Sequence, residues 1–202
     1  MTVFRSLAMV TMALGTSVLM TQAFGSLDRV GDFALLDDRG EFHHISRYQH
    51  RKAVVMMSYH PSCANISDSV NYLAELNAKY ADQDVEFLLL DSSGTGRPEA
   101  NERGLEFPLL DDAAQLVSAS LQIEQGGEVI VFNPERLSLF YRGAANHSLD
   151  STLQTLLDGD VRDTVKNAIS GCAIDYPVRD KLLASPPDYT TEVAPIIIEN
   201  CA

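Results

Sequence analysis

The sequence predicts an α/β fold in which helices flank a central mixed β-sheet, preceded by an N-terminal hairpin. Three observations predict it. A continuous apolar run of strand length occupies residues 53–58 and a second, mostly apolar one 85–90, a segment of helical period separates them, and two further strands with a four-residue link precede a last helix.

The elements follow in order. Residues 33–36 and 41–45 flank the turn signal Asp37-Asp38-Arg39-Gly40, which reads as a small hairpin. Residues 53–58 (AVVMMS) have the unbroken apolarity of a strand covered on both faces. Val70, Leu73, Leu76 and Tyr80 recur every three or four positions, so an amphipathic helix is expected from about 63 to 79. Residues 85–90 are the next buried strand and 91–96 a polar loop, and strand, helix, strand implies a right-handed parallel crossover. Residues 98–103 predict a short helix, 107–110 an extended piece, and 113–120 a helix with Leu116 and Val117 facing inward. The link between strands 128–132 and 137–142 is so short that they must be antiparallel neighbours. Leu149, Leu153, Leu156 and Leu157 define the last strong helix. A βαβ half followed by a ββα half, behind a hairpin, is the thioredoxin-like arrangement. Past Gly159 the pattern weakens: a short helix is expected over 161–169, and Pro177, Pro186 and Pro187 punctuate a linker.

Composition narrows the function. With 202 residues, 46% of them hydrophobic, the chain can bury one real core, and a formal charge of −13 repels phosphate backbones, so no nucleic-acid partner is expected. Residues 1–25 have the layout of a secretory signal peptide: Arg5 is the only charge, 6–20 is apolar and small, and Thr21-Gln22-Ala23 offers cleavage positions. The apolar run falls short of the ~20 residues that span a bilayer, so stable membrane insertion is not expected. The expected organisation is a cleaved signal peptide at 1–25, a thioredoxin-like domain at 26–158, a linker carrying Cys172 at 159–188, and a separate segment at 189–202. An exported, periplasmic product permits disulfides.

Cys63 is the candidate nucleophile. It follows a buried strand at the expected start of a helix, where free N–H groups and the dipole stabilise a thiolate. Such a thiolate attacks a peroxide to give a sulfenic acid, or a disulfide to give a mixed disulfide. The competing reading is a small buried apolar residue. Cys172 can resolve Cys63 if the tail folds back over the helix; a free thiol, an intermolecular bridge and a purely structural staple stay open, because spacing does not fix connectivity. Cys201 goes with the C-terminal segment.

His60, three residues before Cys63, is a candidate thiolate support or soft-metal ligand beside it, against a solvent-facing loop histidine. His43 and His44 are neighbours on a strand, point to opposite faces and read as hairpin-surface residues. His50 and His147 sit in polar loops without a metal spacing. No cofactor signature emerges: Gly94-Thr95-Gly96-Arg97 lacks the spacing of a phosphate loop and reads as a turn, and Asp111-Asp112 reads as a helix cap. Arg142 closes a strand, is expected to pair with the acidic surface and is assigned no site.

Residues 53–63 (AVVMMSYHPSC), 128–135 (EVIVFNPE), 139–143 (LFYRG) and 171–174 (GCAI) together resemble the redoxin group of peroxiredoxin-like proteins, related to alkyl hydroperoxide reductases and thiol-specific antioxidants. The resemblance spans about 28–175. It implies an antioxidant or thiol–disulfide oxidoreductase acting through Cys63, with a peroxide or thiol/disulfide substrate and an electron-donor redox protein as partner. The chain departs from the family pattern in four places. Ile66 stands where a Cys-x-x-Cys dithiol has its second sulfur, and Ser67 where copper-metallochaperone redoxins have theirs. Met56 and His60 replace the peroxiredoxin proline and hydroxyl residue, and Gly127 takes the place of the cis-proline. Residues 189–202 (YTTEVAPIIIENCA) resemble the opening of a c-type cytochrome-like domain; the haem-binding Cys-x-x-Cys-His is not present, and no haem is expected. These departures imply a second reading, a catalytically inactive binding module serving a haem or copper redox domain.

Overall fold

The computed structural model describes residues 28–93, 107–159 and 163–201. The signal segment, the helix expected over 98–103 and the turn at Gly94 to Arg97 lie outside these residues. Strands β1 (Ala34–Leu36) and β2 (Phe42–His44) form the expected antiparallel hairpin. The main sheet contains β3 (Ala53–Tyr59), β4 (Val85–Asp91), β5 (Leu109–Asp111), β6 (Glu128–Phe132), β7 (Leu139–Ala144) and β8 (Val165–Lys166), in the order β5-β4-β3-β6-β7-β8. Strand β3 pairs parallel with β4 and antiparallel with β6, so it lies at the centre of a mixed sheet.

The unbroken apolarity of β3 has a packing cause. Alternate side chains of a strand point to opposite faces, and here both faces are covered. Val55, Met57 and Tyr59 pack beneath helices α1 (Ile66–Tyr80) and α3 (His147–Leu157), together with Leu73, Leu76, Leu149 and Leu153. Val54 and Met56 face the opposite layer with Leu88, Leu90, Ile130, Phe132, Leu121 and Ile45. The two helices are tied across their faces: Asp150 accepts hydrogen bonds from Lys79 Nζ (2.6 Å) and Tyr80 Oη (2.6 Å).

The second half corrects several expectations. The helix expected over 161–169 is in its described part the strand β8; Val165 pairs with Tyr141, and Asn167 N–H donates to Arg142 O (2.9 Å). A β-branched residue beside an open sheet edge gains more from ladder bonds than from a short isolated helix. Pro177 opens helix α4 (Pro177–Ala184) in place of a plain linker, as a proline at the first helical position can. The segment from 189 is also helical, a π turn (Tyr189–Val193) running into α5 (Ala194–Cys201). The helix expected over 113–120 shrinks to α2 (Leu116–Ser120); of the two side chains expected inward, Leu116 is exposed and Val117 packs against the core. Its free N–H groups are capped by Asp112, whose carboxylate accepts from Ser118 N (2.7 Å). His147 begins α3 and is not a loop residue. No helix among the described residues is long and apolar enough to cross a membrane.

Candidate functional site

The site lies where β3 gives way to α1. Pro61 stops the strand from continuing and fixes a tight turn at its second position. Cys63 N–H donates to His60 O (3.0 Å), which closes that turn, and Ile66 N–H donates to Cys63 O (3.2 Å). Cys63 therefore sits in the turn before the helix, three residues ahead of Ile66, and not within the first turn as expected. Its carbonyl accepts from the first residue of the helix, so Cys63 adjoins the N-terminus of a 15-residue helix.

Cys172 lies directly across from it. A disulfide joins Cys63 and Cys172, whose Cα atoms are 5.5 Å apart although 109 positions separate them in sequence. Backbone pairing holds the second cysteine in place. Gly126 N–H donates to Cys172 O (2.9 Å), Ile174 N–H donates to Glu124 O (2.9 Å), and Gln125 bridges Ala173 in antiparallel fashion. The Gln125 side chain adds a bond from Gly171 N–H (2.9 Å). Residues 171–174 thus form a strap laid along the approach to β6.

Two glycines permit this approach. A Cβ at Gly126 would collide with Cys63 Sγ and stand 3.2 Å from Cys172 Sγ, and one at Gly171 would collide with Gly126 O. Gly127, expected in the place of the cis-proline, adopts φ +84° and donates its N–H to Ser58 O (2.8 Å). Among the described residues there is no cis peptide bond, and the residue against the sulfurs is Gly126. The Gly126-Gly127 pair was the sequence signal for this contact, one position away from the residue singled out.

Beyond the strap the chain is anchored again. Tyr176 Oη donates to Ile123 O, and the buried amide of Gln115 accepts from Val178 N–H (2.9 Å) while donating to Ser92 O (2.9 Å) and Asp175 O (3.2 Å). A cavity of about 250 Å³ opens beside the disulfide, lined by Cys63, Asn65, Ser69, Gly126, Gly171 and Cys172 among others.

His60 joins the cluster. A ring nitrogen of His60 and the two sulfurs all lie within 4.8 Å of one another. Its Nδ1 is buried and has no hydrogen-bond partner among the described residues. Asp91, which the sequence reading placed in a polar loop, ends β4 opposite Tyr59 and is buried. Burial, aided by the nearby carboxylate of Asp111, pushes its carboxyl above the usual carboxylate range, against the opposing hydrogen bonds from Ser93.

The other histidines separate from this centre. His43, expected on the hairpin surface, is buried: its Nε2 meets Asp37 Oδ2 (3.1 Å) and its Nδ1 meets Tyr48 Oη (2.5 Å). The cause is that the hairpin turn docks on the sheet edge, where Asp38 N–H donates to Leu109 O (2.9 Å). His44 pairs with Asp32 at a half-exposed position. Arg142 pairs with the buried Glu128 (2.5 Å), not with surface acids.

With this geometry in view, the comparisons are consistent. No family model matches the chain, and no curated protein matches it. Among solved structures, a hypothetical protein from Sinorhizobium meliloti superposes with a TM-score of 0.64 at 20% identity, covering 73% of this chain and 92% of that one. Peroxidoxin BcpB from Mycobacterium tuberculosis follows at 0.53 and 19%, covering 67% and 97%. A putative thiol:disulfide interchange protein DsbE from Chlorobium tepidum gives 0.58 and 14%, covering 64% and 96%. The fold is thioredoxin-like. At these identities the likeness speaks for the fold, and the chemistry rests on the residues themselves.

Proposed function

We propose that this protein is an exported, thiol-dependent redox protein that cycles between the Cys63–Cys172 disulfide and a dithiol. The observation that carries the reading is the disulfide itself, formed across 109 positions at a helix start and opening onto a cavity. In the reduced chain the Cys63 thiolate attacks one sulfur of a substrate disulfide; a mixed disulfide forms and the other substrate sulfur leaves as a thiolate. The Cys172 thiolate then attacks Cys63 Sγ, restores the internal bond and releases the second substrate thiol. Two electrons pass to the substrate, and a thiol-bearing electron donor returns them. A disulfide substrate is favoured over a peroxide because Met56, buried in β3, and His60 occupy the positions where the peroxiredoxin pattern places its proline and hydroxyl.

The test is reduction of a model protein disulfide, such as insulin, by the full chain with a dithiol donor. Cys63→Ser is expected to abolish turnover, and Cys172→Ser to accumulate a mixed disulfide at Cys63 visible by mass spectrometry. Unchanged turnover in Cys63→Ser removes the cysteine from the mechanism.

A further inference from the structure

Opening the disulfide converts the same corner into a set of three soft donors, two thiolates and an imidazole. We propose that the reduced protein holds one copper(I) ion between Cys63 Sγ, Cys172 Sγ and His60, and that the disulfide form does not. The inference rests on the reducibility of the pair invoked above, and adds to it a ligand that exchange chemistry does not need.

Four observations converge. The three donor atoms lie within 4.8 Å of one another, close enough for one ion to reach all of them after a small separation of the sulfurs. The Cα atoms, 5.5 Å apart, are held by the strap's own hydrogen bonds, so the thiols stay adjacent when the covalent bond is gone. His60 Nδ1 is buried without a partner among the described residues, an arrangement that costs free energy unless something fills it. The fourth is the absence of a side chain at Gly126, where a Cβ would stand against both sulfurs, so the space beside them is open. Donor chemistry then chooses the metal. Two thiolates with one imidazole suit a soft monovalent ion that accepts three ligands, whereas structural zinc takes four and the cluster offers three among the described residues.

The balance is simple. An external thiol or phosphine supplies two electrons and the solvent two protons to convert the disulfide into two thiols; copper(I) then displaces both protons and binds the sulfurs and the neutral imidazole. No change of copper oxidation state is involved. Oxidation of the pair back to the disulfide removes both sulfur ligands and releases the ion, so metal occupancy and the redox state of the pair exclude each other.

The experiment uses the full chain, reduced with a phosphine, freed of it without oxygen, and titrated with copper(I) against bicinchoninate. One equivalent is expected to be withdrawn from the chelator by the reduced chain and none by the oxidised chain, with an X-ray absorption signature of two sulfurs and one nitrogen. His60→Ala is expected to weaken binding at least tenfold, since losing even a supporting group costs about 10–100-fold at metal sites, and to lose the nitrogen scatterer. Cys172→Ser, checked for retained secondary structure by circular dichroism, is expected to lose tight binding altogether. A reduced chain that leaves the copper with bicinchoninate overturns the site, as does a His60→Ala variant with unaltered affinity. If insulin reduction persists in that same preparation, the metal site alone has failed and the exchange reading stands.

Discussion

Two corners of this protein place a histidine with a buried ring nitrogen beside a turn, and they treat it differently. At the hairpin, His43 satisfies both ring nitrogens with Asp37 and Tyr48, and the carboxylate in turn accepts Arg39 N–H (2.9 Å) and Glu41 N–H (2.7 Å). At the β3–α1 junction, His60 leaves Nδ1 unpaired next to two sulfurs joined to each other. The first corner is closed, every polar atom of the ring spent on holding the hairpin against β5. The second has unspent bonding capacity beside groups that can react. A histidine whose bonds are all internal is part of the scaffold, while one that is desolvated and unanswered points to a task.

That contrast can be broken most forcefully at the sulfurs. Reduction of the disulfide, or Cys172→Ser, releases a loop of about 100 residues, which in the chain-entropy picture lowers stability by about 4–5 kcal/mol. Urea titration of oxidised and reduced protein checks this; coincident curves would mean that the strap's hydrogen bonds alone hold the corner. The next largest effect is expected at the closed corner. His43→Leu leaves a buried Asp37 oxygen without its partner and should cost about 1–3 kcal/mol in thermal unfolding with thiol reactivity unaltered.

Asp37 sharpens the comparison through pH. Burial raises its pKa, but the hydrogen bonds from Glu41 N–H, His43 and Arg39 N–H outweigh that and hold the carboxyl below its ordinary value. A carboxyl depressed on folding contributes stability above its unfolded pKa of about 3.9, and that contribution disappears as pH falls through the lower folded value. Unfolding midpoints measured from pH 6 down to 2 should fall less steeply below pH 4 in Asp37→Asn than in the parent. The smallest effect is expected at His60. Its Nδ1 has no hydrogen bond among the described residues to lose, so His60→Ala should change stability by no more than about 0.5 kcal/mol. A loss comparable to that of His43→Leu would show that His60, too, is scaffold.

The architecture was legible in the sequence because its signals are local. The apolar run at 53–58, the mostly apolar 85–90, the Asp37-Asp38-Arg39-Gly40 turn and the leucine spacing of α3 each declare an element without help from distant residues. The position of Cys63 between strand and helix was legible for the same reason, since the strand, Pro61 and the helix that frame it are contiguous. What stayed hidden depends on distant chain segments meeting. Whether Cys172 reaches Cys63 depends on residues 171–174 pairing with 124–126, and the burial of His43 depends on the hairpin meeting Leu109 and Leu110. Val165 joined a sheet where a helix was expected because β7 offered an open edge, a fact about the partner strand and not about Val165. Gly126 escaped notice beside Gly127 for a like reason: two adjacent glycines are equivalent in sequence and differ only in which one the sulfurs approach.

The bonds that follow Cys172 set how far it can stray. Cys172 O itself accepts from Gly126 N–H, and Ile174 and Tyr176 are fastened to Glu124 and Ile123, so the liberated thiol stays close to its partner. A group so tethered meets its neighbour at an effective concentration far above that of any thiol dissolved in the surrounding fluid. If the pair cycles as proposed, ring closure is expected to outrun capture by passing thiols, and the reduced pair to give up its electrons readily.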